Sequence, residues 1–312
     1  MCGNNQTMVT ELVLIGFQNN YMFRIVLFCF VILVYLFTFF GNLVIILLVS
    51  FNYYLHCPMY FFISNVALAD LIITTSIVPN MLFIIWLEGH SMSINGCLSQ
   101  YFFVFVSTYA QCCLLMVMSF DRYLAICLPL QYSSIMNMTI SIRLVFVCWM
   151  IGILLINVEI IIISQLQFCS SNIIDHFFCD FAPLLALSSS KVYALAWLDI
   201  SFNIFVIFLP FVFIVVSYIY IFMVILKISS SKGRRKAFST CSSHLLVVCT
   251  YYGSLIGVYM SPSHANAFFE NKMKSLLFVM LTPFTNPIIY SMRNKEIINT
   301  MKNIYRKRRL KH

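Results

Sequence analysis

The sequence predicts an all-α membrane protein: a seven-transmembrane helix bundle followed by a short amphipathic helix at the carboxyl end. Of the 312 residues, 62% are hydrophobic and only 9% are charged, which is not a composition of soluble domains of this length. Seven apolar stretches of about 20 residues recur, each long enough to cross roughly 30 Å of hydrocarbon as a helix. They lack the in-and-out alternation of lipid-facing strands, so helices are predicted rather than a barrel.

The seven predicted spans follow one another at short intervals. They cover approximately Arg24–Ser50, Pro58–Leu82, Cys97–Ile126, Ile142–Ser164, Val192–Leu226, Phe238–Met260 and Lys274–Met292. We therefore expect a leading segment over residues 1–23, a bundle over residues 24–292 and a tail over residues 293–312. Since the loops are too short for a catalytic domain, the function must lie in the bundle, and we expect neither an enzyme nor a cofactor.

The basic residues are distributed unevenly about these spans. Fifteen of the nineteen Lys and Arg residues fall on one side of the predicted bundle, which the positive-inside rule makes the cytoplasmic side. With seven crossings, the amino terminus is then outside and the carboxyl terminus inside. Contact with lipid headgroups explains the basic tail better than a nucleic-acid patch does. The fifteen residues are Arg122, Arg143, Lys227, Lys232, Arg234, Arg235, Lys236, Arg293, Lys295, Lys302, Arg306, Lys307, Arg308, Arg309 and Lys311.

The segment before the first span has no basic region, apolar core or cleavage site of a leader peptide, so the first span is expected to act as the insertion signal. Asn5 begins an Asn-Gln-Thr glycosylation acceptor that its expected outside position makes usable, with a chance triplet as the alternative. Asn137 begins a second such triplet, but we discount it because its expected position is cytoplasmic.

Three cysteines are expected in or beside the outside loops: Cys97, Cys169 and Cys179. The outside is oxidising, so a disulfide is expected there, and an odd number leaves one cysteine over. We expect Cys97 to pair with Cys179, which would hold the middle of the long second outside loop, roughly residues 165–191, over the mouth of the bundle. A loop of this length without obvious structure of its own is typical of a lid or a binding element.

Polar residues within the spans need partners because hydrocarbon offers none. Asp70, about three turns into the second span, is either the hub of a polar network or an ion or proton site. We favour a network that joins it to Asn42 of the first span and Asn286 of the seventh. Gly41, beside Asn42, permits close approach of a neighbouring helix.

An adjacent acid and base close the third span. Arg122 carries five donors in a rigid fork and stays charged, so it can bind a carboxylate in one state and a protein partner's carbonyls in another. Asp121 is its expected resting partner. Toward the outside, five residues recur at three- and four-residue spacings, and ligand contact and helix packing explain them about equally well. They are Val104, Phe105, Thr108, Tyr109 and Cys112.

Acidic residues and a histidine accompany the second outside loop. Asp175, His176 and Asp180 form a group in which a metal site is one interpretation, and solvated loop polarity is the better one. We therefore predict no metal site. Glu159 near the end of the fourth span and Asp199 in the fifth are two further acids of the outer half.

Prolines and a basic connector mark the later spans. Pro210 loses a backbone hydrogen bond and should kink the fifth span. Residues 228–236 form a basic connector, and the small polar run Ala237–His244 that follows is either a mobile surface touching a partner, which we favour, or a helix start with hydroxyl caps. Pro283, Asn286 and Pro287 make a weak point in the seventh span. Residues 291–302 have the pattern of an amphipathic helix on the inner membrane surface.

Several stretches are distinctive in combination: Leu55–Phe62, Met118–Tyr132, Ser217–Tyr218, Lys236–His244 and Pro283–Asn294. Together, and in this order, they resemble the vertebrate odorant receptors among the rhodopsin-like G-protein-coupled receptors. Three positions depart from that family. Ser189 replaces a usual loop cysteine, so Cys169 lacks its partner. Gln111 stands where Glu is frequent, which weakens the case for ion binding at Asp70, and Leu128 replaces a common histidine.

The resemblance implies a multi-pass receptor of the plasma membrane that binds a small odorant in the outer half of the bundle. It further implies activation of a stimulatory, olfactory-type heterotrimeric G protein, which raises cyclic AMP. The expected ligand contacts are Val104, Phe105, Thr108, Tyr109, Cys112, Phe202, Asn203, Val206, Ile207, Tyr252, Leu255, Ile256 and Tyr259. The expected coupling and switch residues are Asp121, Arg122, Tyr123, Tyr218, Lys236, Ser239, His244, Asn286, Pro287 and Tyr290. The expected polar core is Asn42, Asp70 and Gln111.

The expected ligand is neutral. Amine receptors of the same superfamily place a carboxylate about five helical turns outward of the acid–base pair, where this chain has Val104. The expected contacts are mostly apolar with a few hydroxyls and amides, which suits alcohols, ketones or esters. An ammonium among them would be left unpaired, although Glu159 and Asp199 qualify this expectation if they turn inward.

A multi-span secondary transporter of a small apolar solute is the alternative function. Such a protein would show internal repeats, broken helices in corresponding positions of two halves and charges at the midplane. The chain shows no repeat, and Asp70 is its only clear charge at that depth. Its six histidines are scattered over loops and ends, unlike the clustered groups that an intramembrane hydrolase needs.

Overall fold

The computed structural model describes residues 11–17, 20–166, 172–188, 193–259, 268–293, 296–300 and 302. Within them lie seven long helices: α1 (Tyr21–Phe51), α2 (Pro58–Leu87), α3 (Ile94–Cys127), α4 (Met138–Ile163), α5 (Tyr193–Lys227), α6 (Ser231–Tyr259) and α7 (Phe268–Arg293). Helices α1 to α6 have the length and hydropathy of membrane spans. Helix α7 has 26 residues and carries charged side chains in its first turns.

Short helical turns and strands occupy the connections. The turns are Tyr53–Leu55, Tyr132–Ile135 and Phe181–Ala186, and residues 296–300 beyond α7 are also helical. That last segment agrees with the predicted helix of the tail, and its Glu296 accepts a hydrogen bond from the Tyr60 hydroxyl at 2.8 Å.

Local sequence explains where several helices begin. Helix α2 starts at Pro58, whose missing N–H has no intrahelical partner to lose at that position. The Ser93 side chain caps α3 by accepting from the Gly96 N–H at 3.1 Å. Asn137 caps α4 by accepting from the Ile140 N–H at 3.0 Å. Each cap satisfies a backbone donor that a helix end otherwise leaves free.

A three-stranded sheet joins three segments at one end of the bundle, which we call the sheet end. Strand β1 (Glu11–Leu14) lies in the middle, antiparallel to β2 (His90–Ser93) and parallel to β3 (Ile173–Ile174). Glu11 pairs with Ser93, and Val13 pairs with Ile173. The opposite end, where Arg122 and Lys227 lie, is the basic end.

Helix α3 is the centre of the bundle. Of the residues in its most apolar stretch 78% are buried, compared with 22% in the corresponding stretch of α1. Two glycines permit close helix approach. A Cβ at Gly152 of α4 would lie 2.7 Å from the Val106 carbonyl oxygen of α3. One at Gly41 of α1 would lie 2.9 Å from the Pro287 ring of α7, as the sequence suggested for Gly41.

The structure departs from regular helix within α5 and from the prediction at the start of α6. A π-helical segment, Ile204–Phe208, interrupts α5 shortly before Pro210, and the kink predicted at Pro210 itself stays a prediction. The predicted basic connector over residues 228–236 is wrong in extent, because α6 begins at Ser231. The Ser230 side chain caps this start by accepting from the Gly233 N–H at 3.3 Å. The hydroxyl run after Ala237 therefore lies inside a helix and does not begin one.

Candidate functional site

Residues 172–188, in the connection between α4 and α5, lie at the sheet end, and a disulfide ties them to α3. Cys97 and Cys179 are bonded, with their Cα atoms 5.6 Å apart, so the predicted pairing is confirmed. The Gln100 side chain accepts from the Cys179 N–H at 2.9 Å and donates to the Ser76 carbonyl at 2.8 Å. Cys169, Ser189 and Asn5 lie outside the described residues.

A buried lysine, which the sequence analysis missed, fastens this loop to the amino-terminal segment. Lys272 of α7 pairs with Asp175 and donates to the carbonyl oxygens of Gly16 at 2.8 Å and Ile15 at 3.4 Å. Its side chain is only 8% exposed, so these partners take the place of water. Charge near a helix end ordinarily indicates solvent exposure, which is why sequence reasoning did not single it out.

Asp175, His176 and Asp180 of this loop each contact a different partner. His176 lies with Nε2 3.3 Å from the Ser275 hydroxyl, and burial together with the Lys272 charge lowers its pKa to about 3. Asp180 accepts from the Phe181 N–H at 2.8 Å, and burial raises its pKa to about 6. The described residues contain no group of metal-ligating side chains.

Most of the expected ligand contacts line the interior where α3, α5 and α6 meet. Seven are buried, and four are partly buried. Ile256 is 46% exposed, which makes its assignment wrong: the buried face of α6 passes through Leu255, and Ile256 lies about 100° further round the helix. The Tyr259 side chain lies outside the described part of the chain. The buried seven are Val104, Thr108, Tyr109, Cys112, Val206, Tyr252 and Leu255, and the partly buried four are Phe105, Phe202, Asn203 and Ile207.

Hydrogen bonds connect these helices through groups of the same interior. The Tyr109 hydroxyl of α3 donates to Asn203 Oδ1 of α5 at 3.2 Å. The Tyr251 hydroxyl of α6 donates to the Thr108 carbonyl at 2.7 Å and lies 3.3 Å from Cys112 Sγ. Tyr251 was not among the expected contacts, although it lies four residues before the buried Leu255 and therefore on the same face of α6.

Both outer acids lie close to this interior. Glu159 is fully buried and accepts from the Tyr101 hydroxyl at 2.8 Å, while its Oε1 has no hydrogen-bond partner among the described residues. Asp199 is partly buried and lies one helical turn before Asn203 on α5. The neutral-ligand expectation was qualified by the condition that Glu159 or Asp199 turns inward. Glu159 meets that condition, since it is fully buried.

A buried carboxylate lies at the centre of a polar network in the middle of the bundle. Asp70 accepts from the Asn286 amide at 2.7 Å and from the Gln111 amide at 2.6 Å. Asn42 does not bond to it: its amide donates to the carbonyl oxygens of Thr38 at 3.0 Å and Pro283 at 3.1 Å. The expected network of Asn42, Asp70 and Asn286 therefore needs one correction. Asn42 of α1 bonds to the backbone of α7 at Pro283, and Gln111 of α3 is the second side chain that donates to Asp70.

The acid and base at the basic end of α3 are paired. Arg122 binds Asp121 through a charged hydrogen bond from each of two nitrogens, Nε at 3.0 Å and a terminal nitrogen closer still. The Tyr132 hydroxyl donates to the other Asp121 oxygen at 2.8 Å. Asp121 is fully buried, and Tyr123 is partly buried.

The remaining expected coupling residues fall into two groups. Tyr218, His244, Asn286, Pro287 and Tyr290 are buried, and the Tyr290 hydroxyl has no partner among the described residues. Ser239 is exposed, which suits contact with a partner protein, and the Lys236 side chain lies outside the described part of the chain. His244 therefore belongs to the interior and not to the surface proposed for the run Ala237–His244.

Comparisons with known proteins give one consistent result. A family model described as olfactory receptor matches residues 28–308. Human olfactory receptor 11H6 is 43% identical over 302 residues, covering 96% of this chain and 92% of the relative. Human olfactory receptor 11H7 is 40% identical over 297 residues, with 95% of each chain covered. Mouse olfactory receptor 2A7 is 39% identical over 307 residues, covering 98% of this chain and 99% of the relative.

Proposed function

This chain belongs to the olfactory receptor family, and from that premise we propose that it binds a small neutral odorant between α3, α5 and α6. As a family member it is an odorant receptor that signals through a G protein, and it is not an enzyme. The seven-helix membrane bundle expected from the sequence is confirmed with the family. The rival interpretation, a secondary transporter, has no support from these relatives.

The contact that carries the ligand proposal is the hydrogen bond between Tyr109 and Asn203. It brings a hydroxyl and an amide of two helices to one place among expected ligand contacts that are mostly apolar. Pockets that are apolar with few polar groups select ligands of matching polarity, here those with one or two acceptors.

Glu159 is the observation that favours an amine ligand instead. Its Oε1, which has no partner among the described residues, would suit an ammonium, but the carboxyl already accepts from the Tyr101 hydroxyl. Among the expected ligand contacts themselves, the polar groups are hydroxyl, thiol and amide. We therefore keep the neutral ligand as the proposal and make the amine an outcome of the test.

The proposed orientation follows from the basic residues. The sheet end, with residues 1–23, is placed outside the plasma membrane, and the basic end, with residues 293–312, is placed in the cytoplasm. The basic tail would then contact anionic lipid of the inner leaflet. In this orientation Asn5 is accessible to glycosylation, and the Cys97–Cys179 disulfide lies in the oxidising compartment.

The proposed partner inside the cell is a heterotrimeric G protein of the stimulatory, olfactory type. An odorant that binds one packing of α3, α5 and α6 more tightly shifts the population toward that packing, by no more than its differential affinity. Arg122 then leaves Asp121 for the G protein as the basic end of α6 moves outward. Arg122 is suited to this exchange because its partner Asp121 is held in place by Tyr132 as well.

The ligand proposal is tested with a panel of alcohols, ketones, esters and amines on cells that report cyclic AMP. Asn203→Ala and Tyr259→Phe should weaken the potency of the active odorant about fivefold to tenfold, the worth of one hydrogen bond of about 1 kcal/mol. Ile256→Ala, on the outer face of α6, is the matched control and should leave potency unchanged. Activation by amines alone, lost in Asp199→Asn and unaffected in Asn203→Ala and Tyr259→Phe, would overturn the proposal.

A further inference from the structure

A groove between α1 and α2 at the sheet end lies apart from the odorant interior. Its volume is about 270 Å³, and it is lined by Tyr21, Arg24, Ile25, Phe28, Ile85 and Trp86. None of these residues belongs to α3, α5 or α6. Tyr21 and Trp86 are each about two-thirds exposed, so in a membrane-spanning bundle the groove opens toward the lipid.

We propose that this groove holds one zwitterionic glycerophospholipid, with its phosphate on Arg24 and its ammonium group beside Glu88. This is a binding site for a structural lipid, separate from the odorant site and from the basic tail.

One cationic and one anionic side chain lie at the mouth of the groove, in the arrangement that a zwitterionic headgroup requires. Arg24 pairs with Glu88, which lies just past the end of α2. The Glu88 side chain is 70% exposed while that of Arg24 is 12% exposed, so the protein covers the cation and leaves the anion at the open rim of the groove. A zwitterionic phospholipid has the matching arrangement, since its phosphate lies closer to the acyl chains than its ammonium does.

Arg24 has donor capacity that the protein does not use. One terminal nitrogen reaches Glu88, while Nε is buried and has no partner among the described residues. Its guanidinium carbon lies 5.9 Å from the centre of the Tyr21 ring, which fixes the fork over an aromatic face. Arginine's planar fork binds phosphate oxygens well, so a phosphate in the groove can accept from the part of the fork that the 12% exposed Arg24 side chain still presents.

The walls below the charged pair are apolar and suit an acyl chain. Phe28 and Trp86 face each other with ring centres 5.6 Å apart, and Ile25 and Ile85 complete the lining. Trp at this depth is typical of the membrane interface, where the glycerol and upper acyl carbons of a phospholipid lie. The groove thus has a polar mouth and an apolar floor in the order that a phospholipid presents them.

Other lipids match the groove less well. An anionic phosphatidylglycerol would satisfy Arg24 but place no positive charge beside Glu88. Because Arg24 and Glu88 together carry no net charge, they would not attract the net negative charge of this lipid. A sterol offers a single hydroxyl and leaves the Arg24 fork largely unsatisfied. The charge pattern therefore selects a zwitterionic headgroup among the membrane lipids.

The test uses full-length purified receptor, partly delipidated and offered equal amounts of palmitoyl-oleoyl phosphatidylcholine, palmitoyl-oleoyl phosphatidylglycerol and cholesterol. Native mass spectrometry counts the lipids retained. We expect one phosphatidylcholine to be retained at least fivefold more often than either competitor. The double variant Arg24→Gln with Glu88→Gln should lose this excess, while Arg143→Gln, an exposed cation at the basic end, should keep it.

A charge reversal separates a lost site from a damaged fold. Glu88→Lys leaves two cations at the groove mouth, so the retained lipid should change from phosphatidylcholine to phosphatidylglycerol, a gain that misfolding does not produce. Equal retention of phosphatidylcholine by wild type and the double variant would overturn the proposal. So would a wild-type preference for phosphatidylglycerol or cholesterol, or an unchanged preference in Glu88→Lys.

Discussion

The Tyr218 hydroxyl lies 2.8 Å from Nδ1 of His244, and the two rings stack with their centres 5.7 Å apart. Tyr218 is on α5 and His244 on α6, and both are buried at the basic end of the bundle. The contact therefore joins the two helices at the point where our account requires them to separate when the receptor couples. We infer that it favours the uncoupled packing.

Tyr218→Phe removes this hydrogen bond while keeping the ring. A net loss of about 1 kcal/mol in the uncoupled packing should raise basal cyclic AMP about fivefold. Tyr220→Phe is the matched control, because Tyr220 is 54% exposed on the same helix and should change nothing. Basal cyclic AMP that is unchanged or lower in Tyr218→Phe, at equal surface density, would show that the contact does not hold the uncoupled state.

Arg122→Ala should abolish the odorant-evoked cyclic AMP response and leave delivery to the cell surface largely intact. The reason is that our proposal assigns Arg122 the charged contact with the G protein, while its removal leaves Asp121 still bonded to Tyr132. Arg143→Ala, an exposed cation of α4 at the same end, is the control. Cyclic AMP output and surface labelling measured on the same cells check this, and a mutant that signals at full strength would contradict the role.

Cys97→Ser and Cys179→Ser should each cripple folding and surface delivery, because a loop disulfide typically contributes about 2–4 kcal/mol. Cys29→Ser removes an exposed free thiol and should be neutral. Cys169→Ser should be mild by comparison. Non-reducing peptide mapping measures the pairing directly, and a Cys97–Cys169 peptide would refute the assignment.

Gly152→Ala should destabilise the receptor by about 1–3 kcal/mol, since its methyl group would lie 2.7 Å from the Val106 carbonyl oxygen and push α4 from α3. Gly253→Ala offers a matched control, because nothing lies within 4 Å of a Cβ built there. Thermal unfolding of the purified receptors compares the two. A Gly152→Ala midpoint equal to that of Gly253→Ala would mean that the two helices can separate without cost.

The residues that the sequence predicted well are those for which burial leaves few choices. An isolated carboxylate in an apolar helix must find a polar partner, and Asp70 finds Asn286 as expected. The family resemblance placed Gln111 in the polar core with Asp70, but hydropathy alone does not say which faces of α2 and α3 meet. For the same reason the sequence analysis assigned Asn42 to this network, whereas Asn42 bonds to backbone carbonyls of α1 and α7.

Short segments that pair across long distances in the chain were not predictable. Strand β1 has only four residues, and its partners β2 and β3 lie in loops far along the chain. The apolar run Leu12–Leu14 was the available signal, but a run this short is common in loops as well. Lys272 went unnoticed for a related reason, since its carbonyl partners belong to a segment that the sequence analysis treated as unstructured.

The most direct test of the central claim uses cells that lack their own stimulatory G-protein subunits and express the receptor with or without the olfactory-type subunit. We predict that at least one neutral odorant of a broad panel raises cyclic AMP only when that subunit is present, and not in Arg122→Ala at equal surface density. An odorant response that persists without the subunit or in Arg122→Ala would contradict the account, as would a receptor that responds to amines alone.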